Sequence, residues 1–143
     1  MASTAGRNTL TVVRDFMKRV SNTKRFDRLM GQVVVVAAEP GQLKAQFTVA
    51  EEHLNAGGTL HGGYTAYLVD VLSTAALMTV PPNLAGVSVD LSVAYMKAAK
   101  AGDVVTVDAL TLKVGRQLGF SSVDLRNDAG QLLAQGKHTK FLI

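Results

Sequence analysis

The sequence predicts an α+β fold in which an antiparallel sheet of six strands wraps around one long buried helix, with a further helix at the N-terminus. Three patterns predict it. Apolar residues recur every three or four positions near the N-terminus, one central segment is apolar on nearly all faces, and six other segments have strand-like composition or alternation. A chain of 143 residues fits one domain. We expect an N-terminal helical segment, residues 1–25, and a single domain over residues 26–143.

The first helix is predicted over Asn8–Val20. One apolar stripe has the spacing of a helix face and consists of Leu10, Val13, Met17 and Val20. Asn8 or Thr9 is a suitable N-terminal cap. A polar link then leads to Phe26 and Leu29–Met30, where we expect a short second turn of helix.

Two strands follow this link. The run Gln32–Ala38 is rich in valine, Pro40-Gly41 is a turn signal, and Leu43–Val49 alternates apolar and polar residues. Together they indicate a hairpin with one buried and one solvated face. A polar, glycine-rich loop over Glu51–Gly63 comes next.

The central helix is predicted over Tyr64–Met78, which has no internal glycine or proline and is followed by Pro81-Pro82. A helix that is apolar on most faces is a buried one. The remaining sequence alternates in the manner of strands joined by short turns, over Val87–Tyr95, Val104–Val114, Leu118–Leu125 and Leu132–Phe141. We expect these four strands to form an antiparallel meander.

Composition excludes several classes of function. The absence of cysteine removes disulfides, thiolate metal sites and cysteine nucleophiles, and fits a reducing compartment. The longest apolar stretch, Ala66–Val80, is interrupted by Asp70 and is too short to span a membrane. The N-terminus lacks the apolar region of a secretory signal.

Basic residues are concentrated in two groups within a net charge of +4. The first permits three interpretations: a solvated helix face, which is favoured, a mitochondrial targeting signal, or a nucleic-acid site, which is least favoured because no aromatic residues interleave. It comprises Arg7, Arg14, Lys18, Arg19, Lys24, Arg25 and Arg28. The second is predicted at strand ends or turns, where it can converge on an anionic ligand: Lys97, Lys100, Lys113, Arg116, Lys137 and Lys140.

The loop His53–Gly63 is the first candidate for chemistry, since it leads directly into the central helix. Its glycines permit close approach of a ligand to the backbone. The helix start offers unpaired N–H groups and a positive dipole end, which together can hold the oxygen of a polarised carbonyl. The alternative is that Gly62-Gly63 only provides a tight turn and close helix–sheet packing, and the pattern does not decide between the two.

Asp70 is the second candidate, because a carboxylate among apolar neighbours on a buried helix is costly unless it is paired or protonated. It lies two turns, about 10–12 Å, beyond Gly62-Gly63, so both groups reach one carbonyl only if two helices run antiparallel across a twofold axis. The structural alternative is an aspartate bonded to neighbouring backbone or to a tyrosine.

The three histidines are not spaced as metal ligands, and no metal or cofactor is predicted. His53 and His138 are interpreted as surface polar residues, whereas His61, next to the glycines, is a functional candidate. The chain lacks the Gly-x-Ser-x-Gly elbow of α/β-hydrolases, a P-loop and a dinucleotide fingerprint.

These residues resemble a known family. The run His-Leu-Asn-Ala-Gly-Gly-Thr-Leu-His-Gly-Gly over 53–63, followed by an apolar helix with Asp70, is similar to the hotdog-fold acyl-CoA thioesterases. The resemblance extends from about Phe26 to Lys140 and includes the segments 86–90 and 136–140. It implies the hotdog fold for residues 26–143 and hydrolysis of medium- to long-chain fatty acyl-CoA, a reaction of fatty acid metabolism.

The resemblance also implies roles for five residues. Asn55 would orient the thioester and the water, the N–H of Gly62 would polarise the thioester carbonyl, and His61 would support that geometry. Asp70 of the partner subunit would act as general base or nucleophile, and Ser88 would help to hold the water.

Coenzyme A would be bound along the strand ends, by Tyr95, Met96, Lys97, Ala98, Ala99 and Lys100, by Lys113, Val114, Gly115, Arg116, Gln117 and Leu118, and by Glu51, Ser88, Asp90 and Phe141. Its phosphates suit the basic side chains among these. The family implies a homotetramer, a dimer of hotdog dimers, and leaves a lipid-transfer protein as a candidate partner. Location in the cytoplasm, the mitochondrion or both is expected.

Two rival functions remain. One is a hotdog hydratase or dehydratase that pairs His61 with Asp70, although Asn55 and Ser88 favour water activation. The other is a non-catalytic acyl-CoA sensor that keeps the fold without turnover.

Overall fold

The computed structural model describes residues 4–143 of the chain. Two α-helices, α1 and α2, and six strands, β1–β6, follow in chain order: α1 Thr4–Ser21, β1 Val34–Glu39, β2 Gln42–Thr48, α2 Gly62–Leu77, β3 Val87–Tyr95, β4 Val104–Val114, β5 Leu118–Arg126 and β6 Leu132–Phe141. Two short 3-10 helices, Phe26–Met30 and Glu51–His53, precede β1 and α2. The predicted α+β class, both predicted helices, the short turn after the first one and all six strands are confirmed.

The beginning of α1 differs from the prediction. The helix begins at Thr4, so neither Asn8 nor Thr9 caps it, because the residues before Asn8 contain no proline and continue the helix. Val13 and Met17 of the predicted stripe are buried, and α1 packs on β1, where the Arg14 guanidinium donates a hydrogen bond to the Val35 carbonyl at 3.0 Å. Residues 1–3 of the predicted segment 1–25 lie outside the described residues.

The strands form one antiparallel sheet in the order β1-β2-β4-β5-β6-β3. The predicted four-strand meander is therefore wrong, since only β4, β5 and β6 are joined in this way. β3 lies at the far edge, paired with β6 through Leu91 opposite His138 and Tyr95 opposite Ala134. Short turns fix which strands of a hairpin are neighbours, but the longer crossover from β3 to β4 permits the chain to pass over the intervening strands.

The helix α2 crosses the concave face of this sheet and forms the centre of the core. Leu68, Val69 and Leu72 are fully buried against the inward side chains of β4, β5 and β6. Gly136 permits the closest approach, because a Cβ at this position would lie 2.6 Å from a methyl group of Val69. Among residues 4–143, no helix is long and apolar enough to cross a membrane.

Candidate active site

The first half of the site is the beginning of α2. His61 is its N-cap residue, and the Nδ1 atom of His61 accepts a hydrogen bond from the Gly63 N–H at 2.8 Å. A Cβ on Gly63 would lie 2.9 Å from the His61 ring, so glycine is needed for this cap. The backbone N–H of Gly62 has no hydrogen-bond acceptor within the described chain, and it points out from the positive end of a 16-residue helix.

Asn55 organises the loop before this helix. Its side-chain oxygen accepts hydrogen bonds from the N–H groups of Gly57 (2.9 Å) and Thr59 (3.1 Å), and its Nδ2 donates to the Thr59 hydroxyl at 3.0 Å. The oxygen is thus committed to the loop, whereas the second Nδ2 hydrogen remains available to a ligand. Any contact of Asn55 with a carbonyl group must come from this N–H.

A cavity of about 370 Å³ opens beside the helix start. Its wall on one side is the segment Tyr95–Ala99, where the Tyr95 hydroxyl donates to the Gly62 carbonyl at 2.6 Å and the Ala99 carbonyl accepts from the Leu60 N–H at 2.8 Å. Asn55 and Gly62 line the other side. The structure therefore brings together the predicted Asn55, Gly62 and the first of the two predicted CoA-binding segments, with Lys100 bridged to Thr59 at its end.

Asp70 lies in a second half of the site, two turns along α2. Its side chain is 46% exposed, so the expectation of a buried carboxylate is wrong for the isolated chain. Asp70 lies 3.9 Å from His138 on β6, next to the edge strand β3, where the sheet ends. Its backbone carbonyl accepts hydrogen bonds from the hydroxyls of Ser73 (3.1 Å) and Thr74 (2.8 Å).

His138 connects Asp70 with the predicted Ser88. The interpretation of His138 as a surface residue is wrong, because its side chain faces α2 from β6 and the residue is only 1% exposed. Its Nε2 lies 2.7 Å from the Ser88 hydroxyl and 3.9 Å from Asp70 Oδ1, and its Nδ1 lies 2.8 Å from the Ser73 hydroxyl. Burial lowers the pKa of His138, which favours the neutral ring.

Lys140 adds an unexpected charge to this second half. We expected it at a strand end or turn, in reach of an anionic ligand, but it is buried on the same face of β6 as His138, and its ammonium donates to the Thr74 hydroxyl at 2.7 Å. Burial lowers its pKa, while the Asp70 carboxylate opposes this effect. The inward parity of β6, which places every second residue on the buried face, is the sequence signal for both His138 and Lys140.

His53 is also buried, contrary to its interpretation as a surface residue. Its ring stacks on Tyr64 with centroids 4.4 Å apart, and its Nδ1 accepts from the Ala50 N–H at 2.9 Å. Burial lowers the pKa of His53 and raises that of Tyr64. This histidine supports the loop from below through its carbonyl, which accepts from the His61 N–H at 2.8 Å.

The second predicted CoA-binding segment lies elsewhere in the chain. Lys113, Gly115, Arg116, Gln117 and Leu118 line a separate groove of about 520 Å³ with Phe120, and Val114 lies at the same turn. Leu118 pairs with Phe141 and Leu125 pairs with Ala134, the neighbour of Tyr95, so this groove is about 23 Å along the strands from Tyr95. Within one chain the two predicted segments do not meet, and the second basic group does not converge.

The other predicted ligand-binding residues are scattered. Glu51 is exposed at the start of the 3-10 helix before the loop, Asp90 is exposed on β3, and Phe141 ends β6 opposite both Val87 and Leu118. Lys137 projects from the middle of β6, exposed on the face away from His138. Among residues 4–143, no group of three histidine or acidic side chains is arranged to hold a metal ion.

A third cavity, of about 250 Å³, was not foreseen from the sequence. It lies on the opposite side of the helix start from the Tyr95 segment, and its lining is mainly apolar. The residues that line it are Phe26, Leu29, Glu52, Leu54, His61, Gly63 and Tyr64. The start of α2 is thus flanked by two cavities, one with Lys97 and backbone groups and one with apolar side chains.

A six-stranded antiparallel sheet wrapped around one helix is the hotdog fold, and a His-Gly-Gly turn at the start of that helix is typical of its thioesterases. The profile of the thioesterase superfamily matches residues 57–134. Human acyl-coenzyme A thioesterase 13 is 47% identical over 131 residues, covering 91% of this chain and 94% of that protein. The chain belongs to the thioesterase superfamily.

Solved structures agree with this assignment. Zebra fish thioesterase superfamily member 2 superposes with a TM-score of 0.91 at 46% identity, over 94% of this chain and 98% of that one. A Streptococcus mutans protein solved with bound acetyl CoA superposes with a TM-score of 0.75 at 25% identity, over 85% of this chain and 94% of that one. The resemblance inferred from the loop and the helix, and the hotdog fold that it implied, are confirmed.

Proposed function

We propose that the chain hydrolyses medium- to long-chain fatty acyl-CoA to a fatty acid and free CoA, in sites that each take residues from two copies of the chain. The observation that carries the proposal is the division of the site along α2. Gly62 and Asn55 lie at the helix start, whereas Asp70 and Ser88 lie together about 12 Å further along it. Neither half alone has both a carbonyl-polarising donor and a base.

The open edge of β3 supports the assembly of two copies. This strand is unpaired on one side within the described chain, and Val87, Val89 and Tyr95 are 51%, 60% and 57% exposed. Such an edge favours pairing with another strand. If two β3 strands pair antiparallel around a twofold axis near Leu91, the middle residue of β3, then Tyr95 of the partner subunit lies opposite Val87.

That pairing would join the two halves of the site. Because Tyr95 holds Gly62 within its own chain, the helix start of one subunit would come next to Ser88 and Asp70 of the other. The same operation would bring the Tyr95–Lys100 segment of one chain to the sheet end that carries Lys113–Leu118 of the other. The tetramer implied by the resemblance would combine two such dimers.

In the proposed reaction, the Gly62 N–H donates to the thioester oxygen and stabilises the oxyanion as water attacks the carbonyl carbon. Asp70 accepts the proton of this water as general base, and Ser88 holds the water from the other side. Asn55 has one free N–H to orient the thioester. His61 keeps Gly62 and Gly63 in place through its cap on the helix.

The two cavities at the helix start support separate positions for the two parts of the substrate. The cavity along Tyr95–Ala99 has the backbone groups and the lysine that suit the pantetheine and phosphates of CoA, and the Streptococcus mutans relative was solved with acetyl CoA. The apolar cavity beside Phe26 suits the acyl chain. Its mainly apolar lining favours fatty acyl groups of medium or greater length over acetyl.

The hydratase alternative requires His61 to act as acid or base on the acyl chain. The Nδ1 atom of His61 already accepts a hydrogen bond from the Gly63 N–H. The ring therefore has a structural role as a helix cap, which weakens the hydratase alternative. Release of CoA without hydration of crotonyl-CoA would separate the two reactions. A sensor without turnover would release no CoA.

Gly62→Pro and Gly62→Ala form a matched pair that tests the carbonyl-polarising group. Proline replaces the amide hydrogen by its ring Cδ, and it is tolerated at the first helical position after a residue with extended backbone, as His61 is (φ −64°, ψ 127°). Alanine keeps the N–H and adds the same Cβ, 3.4 Å from the Tyr95 ring. We expect Gly62→Pro to lower kcat by a factor of about 10² to 10³ relative to Gly62→Ala, the usual effect of one oxyanion donor.

Mixing two inactive variants tests the shared site. Asp70→Asn should lower kcat by a factor on the order of 10² or more, since base catalysis contributes about that much. When Gly62→Pro and Asp70→Asn chains are refolded together, half of the dimers are mixed and each has one intact site. About a quarter of the wild-type rate of CoA release should therefore return. If the mixture stays as inactive as its components, both halves act within one chain and the proposal is wrong.

A further inference from the structure

We propose that His138 is a positioning residue that fixes the direction of the Ser88 hydroxyl, so that Ser88 accepts a hydrogen bond from the attacking water. The inference rests on the proposed function and assigns the hydrogen-bond polarity of the same site. The observation is a buried chain of three side chains, Ser73, His138 and Ser88, in which both ring nitrogens of the histidine are within 2.8 Å of a hydroxyl.

The direction of this chain follows from its inner end. The Ser73 hydroxyl has one hydrogen, which it donates to the Asp70 carbonyl one turn earlier at 3.1 Å, as serines within helices do. Toward His138 it then acts as acceptor, so Nδ1 carries the ring hydrogen. A neutral ring with a hydrogen on Nδ1 has a lone pair on Nε2. The Ser88 hydroxyl therefore donates inward, to Nε2.

The consequence appears at the outer end. A hydroxyl that donates inward has only lone pairs to offer to the reacting molecule. Ser88 Oγ and Asp70 Oδ1 lie 2.7 and 3.9 Å from the same Nε2 atom, which places both acceptors at the outer end of the chain. A water between these two acceptors gives one hydrogen to each, and both of its lone pairs stay free, one of them for attack on the thioester carbon. With the opposite tautomer Ser88 would donate to that water, occupy one of these lone pairs and make the oxygen a weaker nucleophile.

Charged groups on three elements act on the pKa of the ring. Asp70 on α2 and Asp90 on β3 raise the pKa of His138, Lys140 on β6 lowers it, and burial, which lowers it, is the largest cause. The lowered pKa favours the neutral ring. Protonation would place a hydrogen on Nε2 as well, reverse the Ser88 hydroxyl and reduce the rate at acid pH.

The first test reads the tautomer directly. Nitrogen NMR of the ¹⁵N-histidine-labelled, assembled protein near neutral pH distinguishes a protonated from an unprotonated ring nitrogen, and the His138 signals are assigned by their loss in His138→Gln. We expect hydrogen on Nδ1 and a lone pair on Nε2. A hydrogen on Nε2 in the neutral ring would overturn the proposal.

The second test uses Ser73→Ala, which removes the acceptor for Nδ1–H without touching the substrate. We expect kcat to fall about tenfold, the rate equivalent of one misdirected hydrogen bond, with KM unchanged. In a Ser88→Ala background the same change should have no further effect, because Ser73 acts through Ser88. Ser121→Ala is the matched control, since Ser121 is a buried serine paired with His138 across β5 and β6 that makes no side-chain hydrogen bond to it.

The outcomes separate this proposal from the proposed function. A full rate in Ser73→Ala, or equal losses in both backgrounds, would overturn the role of His138 while thioester hydrolysis stands. A wild-type protein that releases no CoA would overturn the proposed function, and the NMR measurement would still decide the direction of the hydroxyl.

Discussion

The contact between Gly136 and Val69 gives a quantitative test of how α2 is seated on the sheet. A Cβ on Gly136 would lie 2.6 and 2.7 Å from the two methyl groups of Val69, distances that real Cβ atoms essentially never show. The backbone of Gly136 is not in the left-handed region, so Gly136→Ala introduces only this overlap. Overpacking of a core by one methyl group costs about 1–3 kcal/mol of unfolding free energy.

A double-mutant cycle isolates the overlap. Val69→Ala removes both methyl groups and leaves only the Val69 Cβ, 3.2 Å away, so Gly136→Ala should cost at least about 1 kcal/mol less in that background. In the wild-type background the midpoint temperature should fall by roughly 2–12 °C, since about 1–3 kcal/mol is lost at about 2–4 °C per kcal/mol for a chain near this size.

Far-UV circular dichroism suits the measurement because the chain contains no tryptophan. Urea titrations at one fixed protein concentration keep the contribution of association constant. Equal costs of Gly136→Ala in the two backgrounds, or no cost in the wild type, would show that the helix is not seated on β6 as described. Because Val69 precedes Asp70, we also expect CoA release to decrease in Gly136→Ala and to recover in part in the double variant.

Two further predictions concern acid stability and chain length. Burial lowers the pKa of His53 and His138 from the ordinary value of 6.5, so below that pH the unfolded chain binds more protons than the folded chain. The unfolding free energy should therefore be full above about pH 6.5. Below that pH it should fall by up to about 1.4 kcal/mol per pH unit for each histidine. Urea titrations between about pH 7.5 and 5.5 measure this, and a stability that stays level over that range would contradict it. Phe26→Ala removes one wall of the apolar cavity. It should raise the KM for long acyl-CoA about fivefold, a loss of about 1 kcal/mol of binding free energy, and leave the KM for acetyl-CoA unchanged. Val12→Ala, an exposed apolar residue outside the cavity, is the control, and an equal change for both substrates would contradict the assignment of the acyl chain.

The helices and strands were predictable because each depends on local periodicity. The Asn55–Gly63 loop could be recognised as a candidate site because glycines next to a helix start let a ligand approach the backbone N–H groups closely. The position of β3 was not predictable in this way. The order of the strands depends on the path of the connection from β3 to β4, and local periodicity carries no information about that path. The same limit applies to the cavity at Phe26, which is formed by a segment distant in sequence.

His138 and Asp70 were misjudged for opposite reasons. His138 occupies an inward position of β6, as the alternation of inward and outward residues along that strand predicts. However, its neighbours Gln135, Lys137 and Lys140 are residue types that are usually found at the surface. Asp70 is surrounded in sequence by apolar residues, yet the sheet ends beside it, so one chain leaves it half exposed. Its environment depends on what covers the β3 edge, which no single-chain pattern describes.

Gly62 and Asp70 lie on one uninterrupted helix, so the rise and twist of the helix fix both the distance between them and their relative direction. Adding or deleting one residue between them would turn Asp70 by about 100° around the axis, away from His138 and β6. We therefore expect an insertion or deletion among the seven residues between these two positions to disrupt the site, whereas surface loops tolerate changes in length. Within this stretch, substitutions keep the spacing of the two groups, whereas insertions and deletions do not.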